Sequence, residues 1–460
     1  MKKFDQLAIK DLDDFIFGKC ANPIKLRNGL SIGVGDVYPE LNFTLPNMQI
    51  NSNTMSEIKK QYKSMISECC NRAVELGLKG LVVEFELLPD LTLQPEWGVE
   101  ITKILRDVLD QTQQKNEIHV ALRVTPNDIR EFSRPPFLRQ GVLVEKMFHS
   151  FELNAQAGAD FLAIESTGGK EIHDDAILNG DLKKSVFALS ILGGRDMEFL
   201  WDRIVEISEQ FGAIPSGDSA CGFANTAMVL AEKHFIPRVW AALIRIMSAA
   251  RSLVAFERGA IGPGKDCAYE NVYLKPITGF PMALEGAEAT CAHLSPIGNI
   301  AKAIPDLWSN ESVQNVKLLS GMAPVVSLEQ LIYATRLMNT ASNQGLKSTL
   351  MLRDWFTESD SALDPQAYVL RPNIALEIAR ELVKEKTTYL RTRRATLVGL
   401  KLLRKADQEN LTKFSSIERK WLNRLSLEAD QLPEDEDEFI DEVVKEIDES
   451  KLRLSEYLIQ

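Results

Sequence analysis

The sequence lacks several features that would assign it to a class at once. None of its 460 residues belong to an apolar run approaching the ~20 that a membrane span needs. No apolar segment follows the lysines near Met1, so no signal peptide is expected. Acidic residues outnumber basic ones, 65 to 53, and no basic stripe interleaved with aromatics occurs. We therefore expect a cytoplasmic protein that binds neither a membrane nor nucleic acid.

Cysteine and histidine are also scarce, with six and five residues. In a reducing compartment cysteines stay free, and metal binding outranks disulfide formation as their use. The histidines are too few and too scattered for a three-histidine metal site. Cys69 and Cys70 fall in a helical stretch, where adjacent residues cannot both face one site. We expect these two cysteines to serve packing.

Nucleotide-binding and common catalytic motifs are missing: there is no P-loop, Gly-x-Gly-x-x-Gly turn or Gly-x-Ser-x-Gly elbow. What the chain has is an alternation of short apolar runs and amphipathic stretches. Helical spacing recurs at 55–76 and 99–109, and buried strands are predicted at 30–34, 81–87, 120–124, 161–165 and 213–217. This order is typical of an α/β fold, and the missing nucleotide motifs favour a (β/α)8 barrel of the TIM type over a doubly wound sheet.

The character of the chain changes near residue 374. After Pro365 and Pro372 the sequence is rich in Leu, Lys, Glu and Arg, and from Leu432 it becomes acidic. We predict a barrel domain at 1–373 and a helical C-terminal extension at 374–460. The arginines and lysines between 391 and 405 are expected to form a solvated or ion-paired helix face.

Three polar residues stand where barrel strands should end. Glu165 closes the run 161–165, Cys221 follows the run 213–217 in a glycine-containing loop, and Cys267 lies in a second such loop after the apolar run 253–256. Chemistry in barrels gathers at the carboxyl ends of the strands. One carboxylate and two thiolates are good zinc ligands, and three ligands leave a position open for catalysis. Spacing alone does not prove a metal site, since two ordinary loop cysteines and a strand-end glutamate would give the same sequence pattern.

Two other groupings compete with this one. Cys291 and His293 are two residues apart and could present two ligands on one face of a strand. Glu84 and Glu86 share a strand face and could form an acid/base pair, although an ion pair lining the barrel is the simpler interpretation.

Several long runs resemble one known family, the methanol:corrinoid methyltransferases. They are SGDSACGFANTAMVLAEK at 216–233, GPGKDCAYE at 262–270, CAHLSPIGNIA at 291–301, DLWSNESVQNVKLLSG at 306–321 and the IESTGGKEIHDDA run around Glu165. The match extends over nearly the full chain. The resemblance implies a barrel with one catalytic zinc held by Glu165, Cys221 and Cys267. It also implies a complex with a small corrinoid-carrying subunit, whose cobalt docks at the barrel mouth and accepts the methyl group of methanol.

Methanol is a poor methyl donor because hydroxide is a poor leaving group, and two thiolates with a carboxylate dull the acidity of a zinc ion. A nearby proton donor or hydrogen bond is therefore expected. The candidates are Asp218, Asp174, His173 and Asp266, with Asp218 favoured because it lies three residues before Cys221.

Three readings remain open beside methanol cleavage. A zinc barrel of the same chemistry could use a methoxylated aromatic, a methylthiol or a methylamine. A barrel kept only for protein interaction would have lost a ligand, and all three are present. A metal-dependent aldolase or hydrolase would use Glu84, Glu86 or the Cys291 and His293 pair.

Overall fold

The computed structural model describes residues 3–44, 48–265, 267–286, 294–313, 319 and 321–459, and these build a parallel sheet curled into a barrel. Within them the sheet has seven strands in the order β7-β6-β5-β4-β3-β9-β8. The strands are β3 (Tyr38–Thr44), β4 (Gly80–Glu86), β5 (His119–Thr125), β6 (Phe161–Ile164), β7 (Ile214–Asp218), β8 (Ala283–Glu285) and β9 (Leu307–Val313). The predicted strands at 81–87, 120–124, 161–165 and 213–217 coincide with β4 to β7.

An extended segment at 261–264 closes the barrel between the two edge strands. The Ile261 N–H donates to the carbonyl of Pro215 on β7 at 2.9 Å, and Gly264 forms a parallel bridge with Met282 beside β8. Together with the seven strands, this segment gives the described part of the barrel eight strand positions, as the predicted (β/α)8 barrel requires. This segment was not predicted, because four residues with Gly and Pro carry no strand pattern.

The amino-terminal end of the barrel is filled by one apolar layer and sealed by a hairpin. Each of the seven strands and the closing segment contributes one side chain to the layer: Tyr38, Val82, Ala121, Phe161, Ile214, Ile261, Ala283 and Leu307. Strands β1 (Lys19–Lys25) and β2 (Ser31–Val34) pair antiparallel and pack Ile24 and Ile32 against it. The run 30–34 is thus a strand, as predicted, but it belongs to this antiparallel hairpin and not to the parallel sheet of the barrel. A short apolar run does not reveal whether its partner strand is parallel or antiparallel.

Helices surround the barrel. They are α1 (Met55–Glu75), α2 (Pro89–Leu93), α3 (Pro95–Lys115), α4 (Val142–Gln156), α5 (Lys170–Asn179), α6 (Leu182–Phe187), α7 (Gly193–Phe211), α8 (Thr226–Glu232), α9 (Arg238–Arg258), α10 (Asn271–Thr278), α11 (Ala323–Asn343), α12 (Leu346–Asp360) and α13 (Pro365–Tyr368). Helices α1 and α3 confirm the two predicted helical stretches. Cys69 and Cys70 are buried in α1, in agreement with a packing role.

Helix α9 accounts for the apolar run 253–256, which was expected to precede Cys267 as a strand. The run is instead the last part of a 21-residue helix. This helix is long and apolar enough to cross a membrane by length and composition, but the whole of that window is buried inside the structure. Such burial is typical of a core helix, and a fully buried helix has no amphipathic period that would separate it from a strand.

Four further helices follow α13: α14 (Pro372–Leu382), α15 (Thr388–Gln408), α16 (Ser416–Asp430) and α17 (Glu436–Val444). Helix α15 packs against α9, and its buried Arg391 pairs with Glu257 of α9 at 2.8 Å. Arg394 pairs with Glu381 of α14 at 3.0 Å. The arginines at the start of the cationic run are therefore ion-paired, whereas a separate extension at 374–460 stays a prediction.

Candidate metal centre

Glu165, Cys221 and Cys267 meet at the carboxyl end of the barrel. Glu165 follows the last residue of β6, Cys221 begins a π-helical turn (Cys221–Asn225) three residues after β7, and Cys267 lies three residues after the closing segment 261–264. One ligand atom from each residue lies within 4.8 Å of the others. Among the described residues, this is the one group of three or more His, Cys, Asp or Glu side chains with that spacing.

The distances fit a tetrahedral ion after a small adjustment. Ligands bound at ~2.3 Å to a tetrahedral zinc lie about 3.8 Å apart. The Cys267 Sγ atom lies 2.9 Å from Glu165 Oε1, where the protonated thiol donates to the carboxylate. Replacing that hydrogen bond with two bonds to a shared cation needs a separation of less than 1 Å more.

Each of the three candidate ligand residues has a polar or charged neighbour close to its ligand atom. Asn225 Nδ2 donates to Cys221 Sγ at 3.6 Å, and the Ser219 hydroxyl lies 3.4 Å from Cys267 Sγ. Lys265 Nζ lies 3.5 Å from Glu165 Oε1. Supporting contacts of this kind are typical of metal ligands, whose orientation and basicity they set. The residues present therefore fit a zinc ion.

The two thiols are strongly held in the protonated form when no cation is present. The hydrogen bond from Cys267 lowers the pKa of Cys221, but desolvation and the charge of Glu165 outweigh it and raise that pKa to about 11. Burial, together with Cys221 and Glu165, raises the pKa of Cys267 well above its ordinary value. A cation bound by both thiolates must therefore displace two protons.

The two cysteine loops are joined by a buried carboxylate that sequence reasoning missed. Glu270 Oε1 accepts from the Ala220 N–H at 2.6 Å and from the Ser252 hydroxyl at 2.8 Å. Glu270 lies three residues after Cys267 and Ala220 one residue before Cys221, so this carboxylate fixes one loop against the other. No sequence signal marks it, because it stands at the start of a helix with no strand end nearby.

Asp218, the favoured proton donor, is turned into the protein. Its carboxylate accepts from the Ser166 hydroxyl at 2.6 Å and from Trp201 Nε1 at 3.2 Å, and Arg251 lies 3.5 Å away. The side chain is fully buried and is not among the residues lining the cavity described next. Its contacts hold the residue that follows Glu165, which is a positioning role.

A cavity of about 380 Å³ opens beside the ligands. Its wall includes Glu165 and Cys221. The carboxylates Glu86, Asp128 and Glu131 and the apolar Val229 and Leu230 of α8 also line it. Thr167 donates to Asp128 through both its N–H, at 2.8 Å, and its hydroxyl, at 3.0 Å. Asp128 follows β5 by three residues, so the rule that selected Glu165 could also have selected it.

The two carboxylates of β4 have different environments. Glu84 is fully buried and pairs with Lys265 at 2.9 Å. Glu86 reaches the cavity and accepts from Asn42 Nδ2 at 2.9 Å. Burial and the nearby charge of Glu165 raise the pKa of Glu86 to about 8. The barrel-lining ion pair that was preferred for this strand thus holds for Glu84, while Glu86 belongs to the cavity.

Two other predicted donors, Asp174 and His173, are not among the described residues that line the cavity. Asp174 pairs with Lys170 at 2.5 Å on the surface of α5. His173 lies in α5, buried against Phe223, and burial lowers its pKa to about 3. Asp266, Cys291 and His293 lie outside the described residues.

Barrel and site together define a (β/α)8-barrel protein with a Glu/Cys/Cys ligand set at the carboxyl ends of its strands. The family model described as "Methanol-cobalamin methyltransferase B subunit" matches residues 1–457. A methanol–corrinoid protein co-methyltransferase of Methanosarcina barkeri is 35% identical over 446 residues, covering 96% of this chain and 95% of the relative. The crystal structure of the methanol:cobalamin methyltransferase complex from Methanosarcina barkeri matches with a TM-score of 0.94 and 33% identity over 100% of both chains. The chain belongs to the methanol-cobalamin methyltransferase B subunit family and is a methyltransferase.

Proposed function

We propose that this chain cleaves the C–O bond of methanol and transfers the methyl group to the Co(I) centre of a separate corrinoid protein, using one zinc ion held by Glu165, Cys221 and Cys267. The observation that carries the proposal is the convergence of these three ligand atoms within 4.8 Å beside an open cavity. In the cell this cytoplasmic reaction would supply methyl groups to methanogenesis or to acetogenic growth on methanol.

Zinc bound at this site would supply a Lewis acid that draws charge from the oxygen of methanol while a nucleophile attacks the carbon. The protein contributes the orientation of the ligands. Asn225, Ser219 and Lys265 each contact one ligand and limit its movement. Fixed ligands reduce the reorganisation that the charge transfer demands.

The leaving oxygen also needs a proton or a strong hydrogen bond. Of the acidic side chains on the cavity wall, Glu86 suits this role, because it lies near Glu165 and burial raises its pKa. Asp218 supports the same chemistry indirectly by holding Ser166, next to Glu165. Asp174 and His173 remain candidates only if binding of the partner rearranges the mouth of the cavity, and Asp266, which lies outside the described residues, stays a candidate.

A corrinoid subunit seated over the cavity would exclude water from the reaction. Exposed apolar side chains near the cavity suit such a contact: Phe132 follows β5 by several residues and is 50% exposed, and Phe235 follows α8 and is 68% exposed. Large exposed aromatics are common anchors of protein interfaces. We therefore expect the isolated chain to react slowly with free cobalamin. Equal rates with free cobalamin and with the loaded partner, at equal cobalt concentration, would contradict this capping role.

The test is anaerobic zinc content together with methanol-dependent methylation of the Co(I) corrinoid protein. We expect about one zinc per chain in the wild type, and loss of both zinc and methylation in Cys221→Ala and Cys267→Ala. Cys69→Ala is the matched control, because Cys69 is fully buried in α1 away from the site; it should keep zinc and activity. Zinc retained in both site variants would overturn the ligand assignment. Faster methyl transfer from a methylthiol, a methylamine or a methoxylated aromatic than from methanol would overturn the substrate.

A further inference from the structure

The last helical turn of the described chain has two buried residues, although it follows an exposed acidic segment. This short 3-10 turn, Leu454–Tyr457, is here called the terminal turn. Tyr457 is fully buried and Glu456 is 5% exposed, whereas residues 448–450 are exposed. Burial at the end of a solvated tail indicates that the terminal turn contacts something specific.

One contact is the loop that carries Glu165. The Tyr457 hydroxyl accepts from the Gly169 N–H at 2.9 Å and donates to Glu171 Oε1 at 2.5 Å. Gly169 is the N-cap of α5. The hydroxyl therefore ties the end of the Glu165 loop to the first turn of the helix that follows it.

Three backbone N–H groups of the loop donate to side chains from distant parts of the chain. The Ser166 and Thr167 N–H groups donate to carboxylates of the barrel, at 3.2 and 2.8 Å. The Gly169 N–H donates to Tyr457, which is 288 residues away. Two of the three attachments belong to the barrel, and the third belongs to the chain terminus.

The loop also has no free space on its other side. A Cβ atom on Gly168 would lie 2.3 Å from Asp196 Oδ2, and one on Gly169 would lie 2.6 Å from the Ala188 carbonyl oxygen. Gly169 has a φ of +89°, a conformation that side chains other than glycine rarely adopt. The loop is thus packed closely against Asp196 and the Ala188 carbonyl at its two glycines.

A second contact of the terminal turn is the loop after β5. Glu456 Oε2 accepts from the Leu138 and Arg139 N–H groups, both at 2.9 Å. The Leu138 carbonyl in turn accepts from Arg130 Nη1 at 3.0 Å, and Arg130 forms a two-bond ion pair with Asp128 on the cavity wall. Both loops that meet at this side of the cavity are therefore attached to the same turn.

We infer that the terminal turn positions the loop that carries Glu165, and that Tyr457 is the positioning residue through which the terminal turn acts on Glu165. The inference rests on the proposed zinc site and goes beyond it. The terminal turn becomes a structural part of the metal centre, although its residues are not among the candidate ligands or the residues that line the cavity.

The test is zinc affinity of the full-length protein by competition with a chromogenic chelator. Tyr457→Phe keeps the buried ring and removes only the hydroxyl. We expect zinc binding to weaken about tenfold, the lower end of the effect of residues that orient metal ligands. Substitution of Co²⁺ for zinc gives a second readout, since a displaced carboxylate ligand shifts the visible bands of the bound cobalt.

The matched control is Tyr389→Phe. Tyr389 is fully buried in α15 and donates to the Pro433 carbonyl at 2.5 Å, so its variant also loses a buried hydroxyl but has no contact with the metal loop. Weaker zinc binding and a shifted cobalt spectrum in Tyr457→Phe alone would support the positioning role. Equal affinities and equal spectra in the two variants would overturn it and leave the zinc site intact. A wild type without zinc would overturn the proposed function, and this inference with it.

Discussion

Replacing Lys265 with methionine should destabilise the barrel more than it alters the metal ligands. Lys265 is 2% exposed at its side chain and pairs with the fully buried Glu84 at 2.9 Å. Removing one partner of a buried ion pair leaves the other charge without compensation and costs about 3–5 kcal/mol. Thr125 also donates to Glu84 at 2.6 Å, but one neutral hydroxyl does not balance a buried carboxylate.

The cost converts directly into a melting temperature. An unfolding entropy of ~2.1 cal/mol/K per residue amounts to about 1 kcal/mol/K for a chain of 460 residues. Each kcal/mol therefore lowers the midpoint by roughly 1 °C, and Lys265→Met should melt about 3–5 °C below the wild type. The measurement is differential scanning calorimetry of both proteins in chelator, so that a change in zinc occupancy adds nothing.

A second substitution tests the cause. Glu84→Gln removes the carboxylate charge that Lys265→Met leaves uncompensated, and keeps an amide oxygen that can accept from Thr125. The double variant Lys265→Met/Glu84→Gln should therefore melt at a higher temperature than Lys265→Met alone. If the two midpoint shifts add, Lys265 and Glu84 are not coupled, and the ion pair is not what stabilises this part of the barrel.

Three further outcomes are expected. The pKa of His173 is lowered to about 3 by burial and by the charges of Lys170 and Arg251, so below pH 6.5 the unfolded chain binds a proton that the folded protein does not. The free energy of unfolding should fall by up to about 1.4 kcal/mol per pH unit as the pH drops from 6.5, and denaturant titrations of His173→Leu should lack this slope. Gly168→Ala should destabilise the protein by about 1–3 kcal/mol and weaken zinc binding, because the new methyl group meets Asp196; unchanged zinc affinity in a chelator competition would show that the loop can shift freely. Ile32→Ala should lower the free energy of unfolding by about 2–5 kcal/mol but keep one zinc per chain, because fully buried Ile32 lies at the opposite end of the barrel, and a loss of zinc would contradict that separation.

The sequence indicated the central strands and the candidate ligand set. Strands β4 to β6 contain short apolar runs because helices and the barrel interior cover both faces, and such runs are visible without any structure. Glu165 and Cys221 could be paired across 56 positions because parallel strands end at the same side of a barrel. The resemblance to a family of methyltransferases then agreed with residues that strand ends had already selected.

The tertiary structure decided what depends on partners distant along the chain. The apolar run 30–34 is a hairpin strand and the run 253–256 is helix, since local hydrophobicity does not specify the neighbour that a segment packs against. The sequence position of Asp218 suggested a proton donor, but in the structure its carboxylate accepts hydrogen bonds from Ser166 and Trp201. Glu86 faces the cavity while Glu84, on the same strand face, pairs with a lysine deeper in the barrel.

The closing segment 261–264 and the terminal turn are the clearest cases of this limit. Four residues complete the barrel because two edge strands offer them unpaired backbone groups, and Tyr457 reaches a loop 288 residues away. Neither contact has a local pattern, because its free energy comes from groups that folding alone brings together. The three candidate ligands could therefore be selected from the sequence, while the residues that hold them in place became visible only in the folded chain.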